Sequence, residues 1–221
     1  MLTIVCVSDT HGRHRELAVP NGDLFLFAGD LSNHGFPEDV SEFDDWLGTL
    51  PHPHKVVICG NHDFLFERDP ADARRRIRHA TYLQDSGAEV AGLKVWGSPW
   101  QPRFFDWAFN LDRGPDIAAK WALIPDDTDV LITHGPPAGI LDMTSRGEAT
   151  GCVDLLWRVQ GLKPKLHLFG HIHEAAGVVE TEDTLFVNAS IGVGRRVGRG
   201  PVVVTWDGER MWSARSASGS E

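Results

Sequence analysis

The residues best suited to chemistry stand at the ends of short apolar runs. Leu166-His167-Leu168-Phe169 stops at Gly170, and His171 and His173 then follow two residues apart. In an extended or tightly turned segment the side chains at i and i+2 point the same way, so this pair can converge on one small volume as metal ligands do. Four more runs end alike. Thr3 to Val7 leads into Asp9 and His11, Leu24 to Phe27 into Gly29-Asp30, Lys55 to Cys59 into Gly60-Asn61-His62-Asp63, and Val130 to Thr133 into His134.

Two divalent cations roughly 3.5 to 4 Å apart clamp a phosphorus centre for in-line displacement, with about three or four protein ligands each and one carboxylate between them. Asp9, His11, Asp30, Asn61, His134, His171 and His173 supply such a set without any thiolate. That donor chemistry suits manganese, iron, zinc or magnesium better than a structural zinc site. Taken singly, each has an ordinary reading: Asp9 or Asn61 as a cap or turn residue, Asp30 as a solvated loop acid, any one histidine as a satisfied surface group. Those readings do not explain why every one stands just past an apolar run, where ligands bind in open α/β sheets.

The rest of the chain must position these groups. At 221 residues with 42% apolar content the sequence is long enough for one well-buried core. We expect a single domain over residues 1–213 and a frayed polar tail over 214–221. Net charge is −10 and the sequence pI near 5.5, which argues against a broad nucleic-acid surface. A small anionic substrate remains compatible, because bound cations reverse the local field. Cys6, Cys59 and Cys152 are scattered and odd in number, and read as small core residues of a reducing compartment. No basic n-region precedes the first apolar run, and no run is long enough to cross a membrane, so a cytoplasmic location is expected.

Strand-like runs at residues 3–7 and 24–27 are followed by Val40, Phe43, Leu47 and Leu50 at helical spacing, with Pro51 as the stop. Asp69-Pro70 caps a second helix, whose Arg74, Arg75, Arg76 and Arg78 read as a solvated face. Short strands follow over 81–96, then an aromatic segment through Trp107 and Phe109 that is expected to cover a core. Helices are expected around Ile117 to Leu123 and from Cys152 to Val159, the latter with apolar residues at helical spacing, Val153, Leu156 and Val159. Residues 138–151 read as a loop. Val178-Val179, Leu185 to Val187 and Val202 to Thr205 are expected as antiparallel strands, with Asp207-Gly208 turning a last hairpin.

In order along the chain, Asp9-x-His11, Gly29-Asp30, Gly60-Asn61-His62-Asp63, His134 and Gly170-His171-x-His173 resemble the motifs of the calcineurin-like metallophosphoesterase superfamily. Ser8-Asp9-Thr10-His11-Gly12, His134-Gly135-Pro136-Pro137, Gly170-His171-Ile172-His173-Glu174 and Val187-Asn188-Ala189-Ser190 most resemble its small metallophosphoesterase-domain members related to class III cyclic nucleotide phosphodiesterases. The resemblance implies an α/β fold, a four-layer αββα sandwich of two mixed β-sheets flanked by helices. It further implies Asp9, His11, Asp30 and His173 on one ion, Asp30, Asn61, His134 and His171 on a second, and Asp30 bridging. Some relatives replace a histidine of the Gly-His-x-His motif, with reduced activity implied; this chain keeps both. His62 matches the residue that faces the substrate as general acid or charge stabiliser, with Asp63 as its orienting partner. His14, His34, His52, His54, His79 and His167 match no motif, and His34 and Arg146 are within conceivable reach of a substrate.

The expected activity is hydrolysis of small phosphodiesters, including cyclic nucleotides, by a hydroxide bridging two divalent ions, manganese first among them. A phosphomonoesterase, a nuclease and a non-catalytic scaffold on the same fold are the alternatives. Loops 97–112 and 136–150 would decide among the substrates.

Overall fold

The protein is described by a computed structural model, which covers residues 1–193 and 196–213. The tail expected over 214–221 lies outside the described residues. In chain order the elements begin β1 (Leu2–Val7), β2 (Leu24–Ala28), α1 (Pro37–Thr49), β3 (His54–Ile58), α2 (Leu65–Arg68), α3 (Pro70–Arg76) and β4 (Thr81–Tyr82). Next come β5 (Ser86–Val90), β6 (Leu93–Ser98), β7 (Gln101–Pro102), β8 (Asn110–Leu111), α4 (Pro115–Trp121), β9 (Val130–Thr133), α5 (Val153–Leu162) and β10 (Leu166–Phe169). The chain then adds β11 (Gly177–Glu180), β12 (Leu185–Asn188), β13 (Gly192–Val193), β14 (Arg196–Val197), β15 (Val202–Trp206) and β16 (Met211–Ser213).

Two six-stranded mixed sheets form, in the orders β16-β15-β1-β2-β3-β4 and β11-β12-β10-β9-β6-β5. Strands β1 to β4 run parallel, as do β6, β9, β10 and β12. Antiparallel strands border both sets: β15 lies against β1, β5 against β6 and β11 against β12. The expectation that Leu185 to Val187 is simply antiparallel is therefore corrected, because β12 pairs antiparallel with β11 on one side and parallel with β10 on the other. The final hairpin turns at Asp207-Gly208 as its sequence requires.

Because side chains alternate along a strand, each central strand builds two cores at once. Ile4, Cys6, Leu24, Leu26, Val56 and Ile58 face the other sheet and meet Val130, Ile132, Leu166, Leu168 and Val187. Their neighbours Val5, Val7, Phe25, Phe27 and Val57 point outward onto Val40, Phe43 and Leu47 of α1 and Ala73 of α3. On the far side Leu131, Phe169 and Phe186 receive Ile117 and Trp121 of α4 and Leu155, Val159 and Leu162 of α5. The result is the expected α/β/β/α order of layers.

Local signals fit where they concern chain geometry. Pro37 opens α1, and Asp39 accepts a hydrogen bond from the Phe36 N–H (3.2 Å); Asp69 caps α3 by accepting from Asp72 N–H (3.0 Å). Two packing details depart from the sequence pattern. Helix α5 buries Leu155, Val159 and Leu162 rather than Val153, which is exposed, because the register of the helix on its sheet selects the apolar stripe that meets Phe169 and Phe186. In the aromatic segment Phe109 is buried, but Phe104 and Phe105 are 51% and 74% exposed. Among the described residues, no helix is long and apolar enough to cross a membrane.

Candidate active site

The carboxyl ends of β1, β2 and β3 in one sheet and of β9 and β10 in the other meet at one rim of the sandwich. Each strand ends in a turn that aims its functional side chain inward. Asp9, His11, Asp30 and His171 adopt left-handed backbone, with φ of 59°, 45°, 58° and 68°. Such conformations cost non-glycine residues free energy and persist where surrounding contacts fix them. Here those contacts are on view: Asp9 N–H donates to Gly29 O (2.9 Å), His11 N–H to Asp30 O (3.0 Å), and His171 N–H to both carboxylate oxygens of Asp9 (3.1 Å each). Two glycines keep the interior open. A Cβ at Gly60 would stand 2.4 Å from Asp30 Oδ1, and one at Gly170 would stand 2.1 Å from Asp9 Oδ2.

All seven residues read from the sequence as metal-binding candidates are brought together. Asp30 Oδ2 lies 3.4 Å from His134 Nε2, 3.7 Å from His11 Nε2 and 3.9 Å from His62 Nε2. On one side of it, His173 Nε2 approaches Asp9 Oδ1 at 3.3 Å and His11 Nε2 at 3.2 Å. On the other, Asn61 Oδ1 is 2.8 Å from His134 Nε2 and 2.9 Å from His171 Nδ1. Ligand atoms of Asp9, His11 and His173, and of Asp9, Asp30 and His134, all lie within 4.8 Å of one another. With His11, Asp30 and His62, which meet the same limit, these are three overlapping groups of oxygen and imidazole donors, the donor chemistry that borderline divalent cations take.

The electrostatics have the same bias. Asp9 and Asp30 are buried, and burial would raise both carboxyls, but the hydrogen bond and charge of His173 hold Asp9 below the ordinary range, and His134 does the same for Asp30. Burial alone would lower His134; the charge of Asp30 and its hydrogen bond reverse this and raise it to about 9. His173 is likewise raised against its burial by Asp9. His11 is lowered, chiefly by burial, and His171 is pushed down to about 4 by burial and the nearby His134. A field that favours a proton on a fully buried imidazole favours a divalent cation more strongly, so the donor set and the cradle fit metal.

His62 stands at the mouth, its Nδ1 2.9 Å from Asn33 O and its backbone N–H on Asp30 Oδ1 (2.9 Å). Asp63 does not orient the imidazole, which corrects the sequence expectation. Its carboxylate turns inward and accepts from the N–H groups of Asp30, Leu31, Ser32 and Gly60 and from Ser32 Oγ, at 2.8 to 3.3 Å. Four backbone donors within reach outcompete a single ring nitrogen, and the carboxylate thereby ties the Asp30 turn to the Asn61 turn. Burial and the charge of Asp30 raise Asp63 to about 7.

A cleft of about 370 Å³ opens from this centre, lined by Asp9, His11, Arg13, Asn33, His62 and His173, among others. Arg196 also lines it; His34 and Arg146 are exposed and are not among the residues that line it. Sequence reading missed Arg13, Arg196 and Asn33, and also Arg199, whose guanidinium donates to His173 O (2.9 Å). It missed Trp107 as well, whose ring centroid is 4.0 Å from that of His62. Asn33 acts through its own backbone carbonyl, and the Arg199 guanidinium donates to backbone carbonyls of other residues, so neither contact leaves a side-chain pattern in a sequence. The aromatic run around Trp107 was a usable signal, assigned instead to the core.

Known proteins resemble this chain in sequence and in fold. The family model described as calcineurin-like phosphoesterase matches residues 2–175. Metallophosphoesterase domain-containing protein 1 of Homo sapiens is 42% identical over 212 residues, covering 85% of this chain and 65% of that protein, so the chain spans less than two thirds of that relative's length. A protein of Synechococcus named a probable cyclic nucleotide phosphodiesterase is 26% identical over 156 residues, 69% of this chain and 58% of that one. The crystal structure of TT1561 of Thermus thermophilus shares the fold at a TM-score of 0.64 and 13% identity, over 96% of this chain and 97% of that one. With its motifs converging on one rim of the shared fold, the chain belongs to the calcineurin-like phosphoesterase family.

Proposed function

We propose that this chain, acting as a single domain over residues 1–213, hydrolyses small phosphodiesters, cyclic nucleotides among them, with two divalent cations of which manganese is the first choice. The observation that carries the reading is Asp30 Oδ2, one carboxylate oxygen set between the imidazoles of His11, His62 and His134 at 3.4 to 3.9 Å. Asp9, His11, Asp30 and His173 would hold one cation, and Asp30, Asn61, His134 and His171 the other. Bound there, the pair supplies charge stabilisation for the phosphoryl oxygens and a water made acidic enough to attack at neutral pH.

The chain's own groups do the rest. With Nδ1–H donated to Asn33 O, His62 presents Nε2 to the cleft, where a proton on that atom passes to the departing ester oxygen. Asp63 keeps the Asp30 and Asn61 turns in register, so the two halves of the donor set stay matched. Arg13 and Arg196 bring positive charge to the wall of the cleft, against the protein's net charge of −10. The cleft volume is in the range of small-molecule sites, which supports a small ester over a folded nucleic acid. Preference for a diester is supported by the name of the Synechococcus relative.

The test is a screen of chelated and manganese-reconstituted protein against matched mono-, di- and cyclic phosphoesters. Diester hydrolysis that appears only with metal is expected; full activity after chelation refutes the metal requirement, and exclusive monoester turnover refutes the diester preference.

A further inference from the structure

The connection between β7 and β8 holds two phenyl rings in water beside the candidate metal centre. Phe104 and Phe105 are 51% and 74% exposed, with ring centroids 4.5 Å apart at 71°. Phe105 has a φ of +49°, a conformation that a bulky side chain adopts only when its surroundings impose it. The surroundings do impose it. Asn110 accepts from Phe104 N–H (3.2 Å) and donates to Phe104 O (3.3 Å) and Phe105 O (2.8 Å), while Arg103 pairs with Asp112 at 2.7 Å.

The far end of the segment is anchored in the site itself, since Ala108 N–H donates to Asn61 O (3.1 Å) and Phe109 N–H to Glu67 Oε1 (2.8 Å). The Phe104 ring lies 6.3 Å from that of His171, edge to face, and Trp107 lies over His62. Hydrogen bonds thus sustain backbone strain that keeps two apolar rings in solvent, beside the candidate metal ligand His171 and on the segment whose Trp107 lies over His62. A surface whose only role was to cover the core would have turned them inward, as it does Phe109.

We infer that Phe104 and Phe105 form an aromatic ledge that stacks a planar heteroaromatic group of the substrate, of nucleobase size, while the phosphoester lies at the metal centre. This rests on the phosphoesterase reading above and deepens it by assigning the residues that would hold the planar part of such a substrate. A planar π-system fits because the two rings already stand edge to face, leaving ring surface to the solvent, and stacking of this kind is tolerant of which base is present. Asp106, exposed between the ledge and Trp107, opposes a further phosphate on that side and favours a substituent bearing N–H groups.

The test uses the metal-reconstituted protein and two probes that share a phosphate and a ribose, adenosine 5′-monophosphate and ribose 5-phosphate, titrated by calorimetry. We expect the nucleotide to bind roughly 5-fold to 100-fold more tightly, as one stacked base contributes. In the Phe104→Ala/Phe105→Ala variant that ratio should collapse toward one, and Phe104→Tyr/Phe105→Tyr should restore it. Equal binding of the two probes by the parent protein, or a ratio that the alanine variant leaves intact, overturns the ledge. Failure of the parent protein to bind either probe overturns it too. A preserved preference for the nucleotide in a protein that hydrolyses no diester supports the ledge and removes the hydrolytic reading instead, so the two failures are distinguishable.

Discussion

His134 and His167 are both fully buried, one just past the end of β9 and the other within the neighbouring β10, yet burial has opposite consequences for them. His134 faces Asp30 and Asp9 and is raised to about 9; His167, packed against Phe169 and Phe186, is pushed down to about 3 by burial alone. They nearly touch through one residue, because Thr133, beside His134, meets His167 Nε2 at 2.9 Å. Since Thr133 Oγ1 donates to Gly135 O (2.8 Å), His167 donates to Thr133, and its Nδ1 has no partner among the described residues. Full burial of an imidazole is therefore no mark of function. What separates the two is whether the strand has ended: past the end, the turn admits carboxylates from the opposite sheet, whereas within the strand His167 meets the neutral hydroxyl of Thr133 and the rings of Phe169 and Phe186, none of which offsets its burial.

The contrast is broken most severely at Asp30. Asp30→Asn should lower metal affinity by more than about 100-fold, beyond what loss of a supporting contact around a ligand costs, and should bring His134 down from its raised value. Metal counting by elemental analysis and histidine titration by NMR check the two parts, and retention of both metals sinks the bridging role. His171→Ala should chiefly weaken the second ion.

Next in size is His62, which sits at the rim rather than in the interior. His62→Ala should keep its metals and lose on the order of 10²-fold to 10⁴-fold in rate on an alkyl or ribose diester. On a bis-nitrophenyl ester, whose leaving group needs little protonation, the loss should be clearly smaller. Equal losses on both substrates would assign His62 to stabilising charge on the phosphoryl group.

The raised His134 itself has a signature in pH. A metal must displace its proton, which is held until pH passes about 9. Uptake near pH 7 should therefore release protons, and affinity should climb by up to about 10-fold per pH unit and level off near the raised value. Calorimetry in buffers of different ionisation enthalpy reads the proton count; no release would mean that the imidazole is already neutral.

The smallest effect belongs to His167. Its folded value is depressed to about 3 from an ordinary 6.5, so the stability tied to its neutral form is complete above pH 6.5 and is lost as pH falls toward 3. His14, depressed by burial to about 4, adds to the same slope. His167→Leu should change Tm only slightly at pH 7.5 and should flatten its decline between pH 6.5 and 4.5. Parallel curves for variant and parent would show that His167 does not couple to acid unfolding.

What the sequence determined by itself was the order of the strands along the chain and the chemistry at their ends. Apolar runs that stop at Asp9, Asp30, Asn61, His134 and His171 are local facts, since strand propensity, turn residues and donor type all reside in neighbouring positions. For the same reason the cap at Asp69 and the turn at Asp207-Gly208 were legible. Tertiary structure decided everything that depends on which face meets which. It chose the stripe of α5 that is buried, gave β12 one parallel and one antiparallel neighbour, and left Phe104 and Phe105 in solvent while Phe109 went inside. It also turned Asp63 away from His62 toward four backbone amides, and brought Asn33 O to the imidazole in its place. Backbone donors and carbonyls are identical at every residue, so no pattern of side chains could announce which of them would be within reach; only the meeting of the two sheets did that.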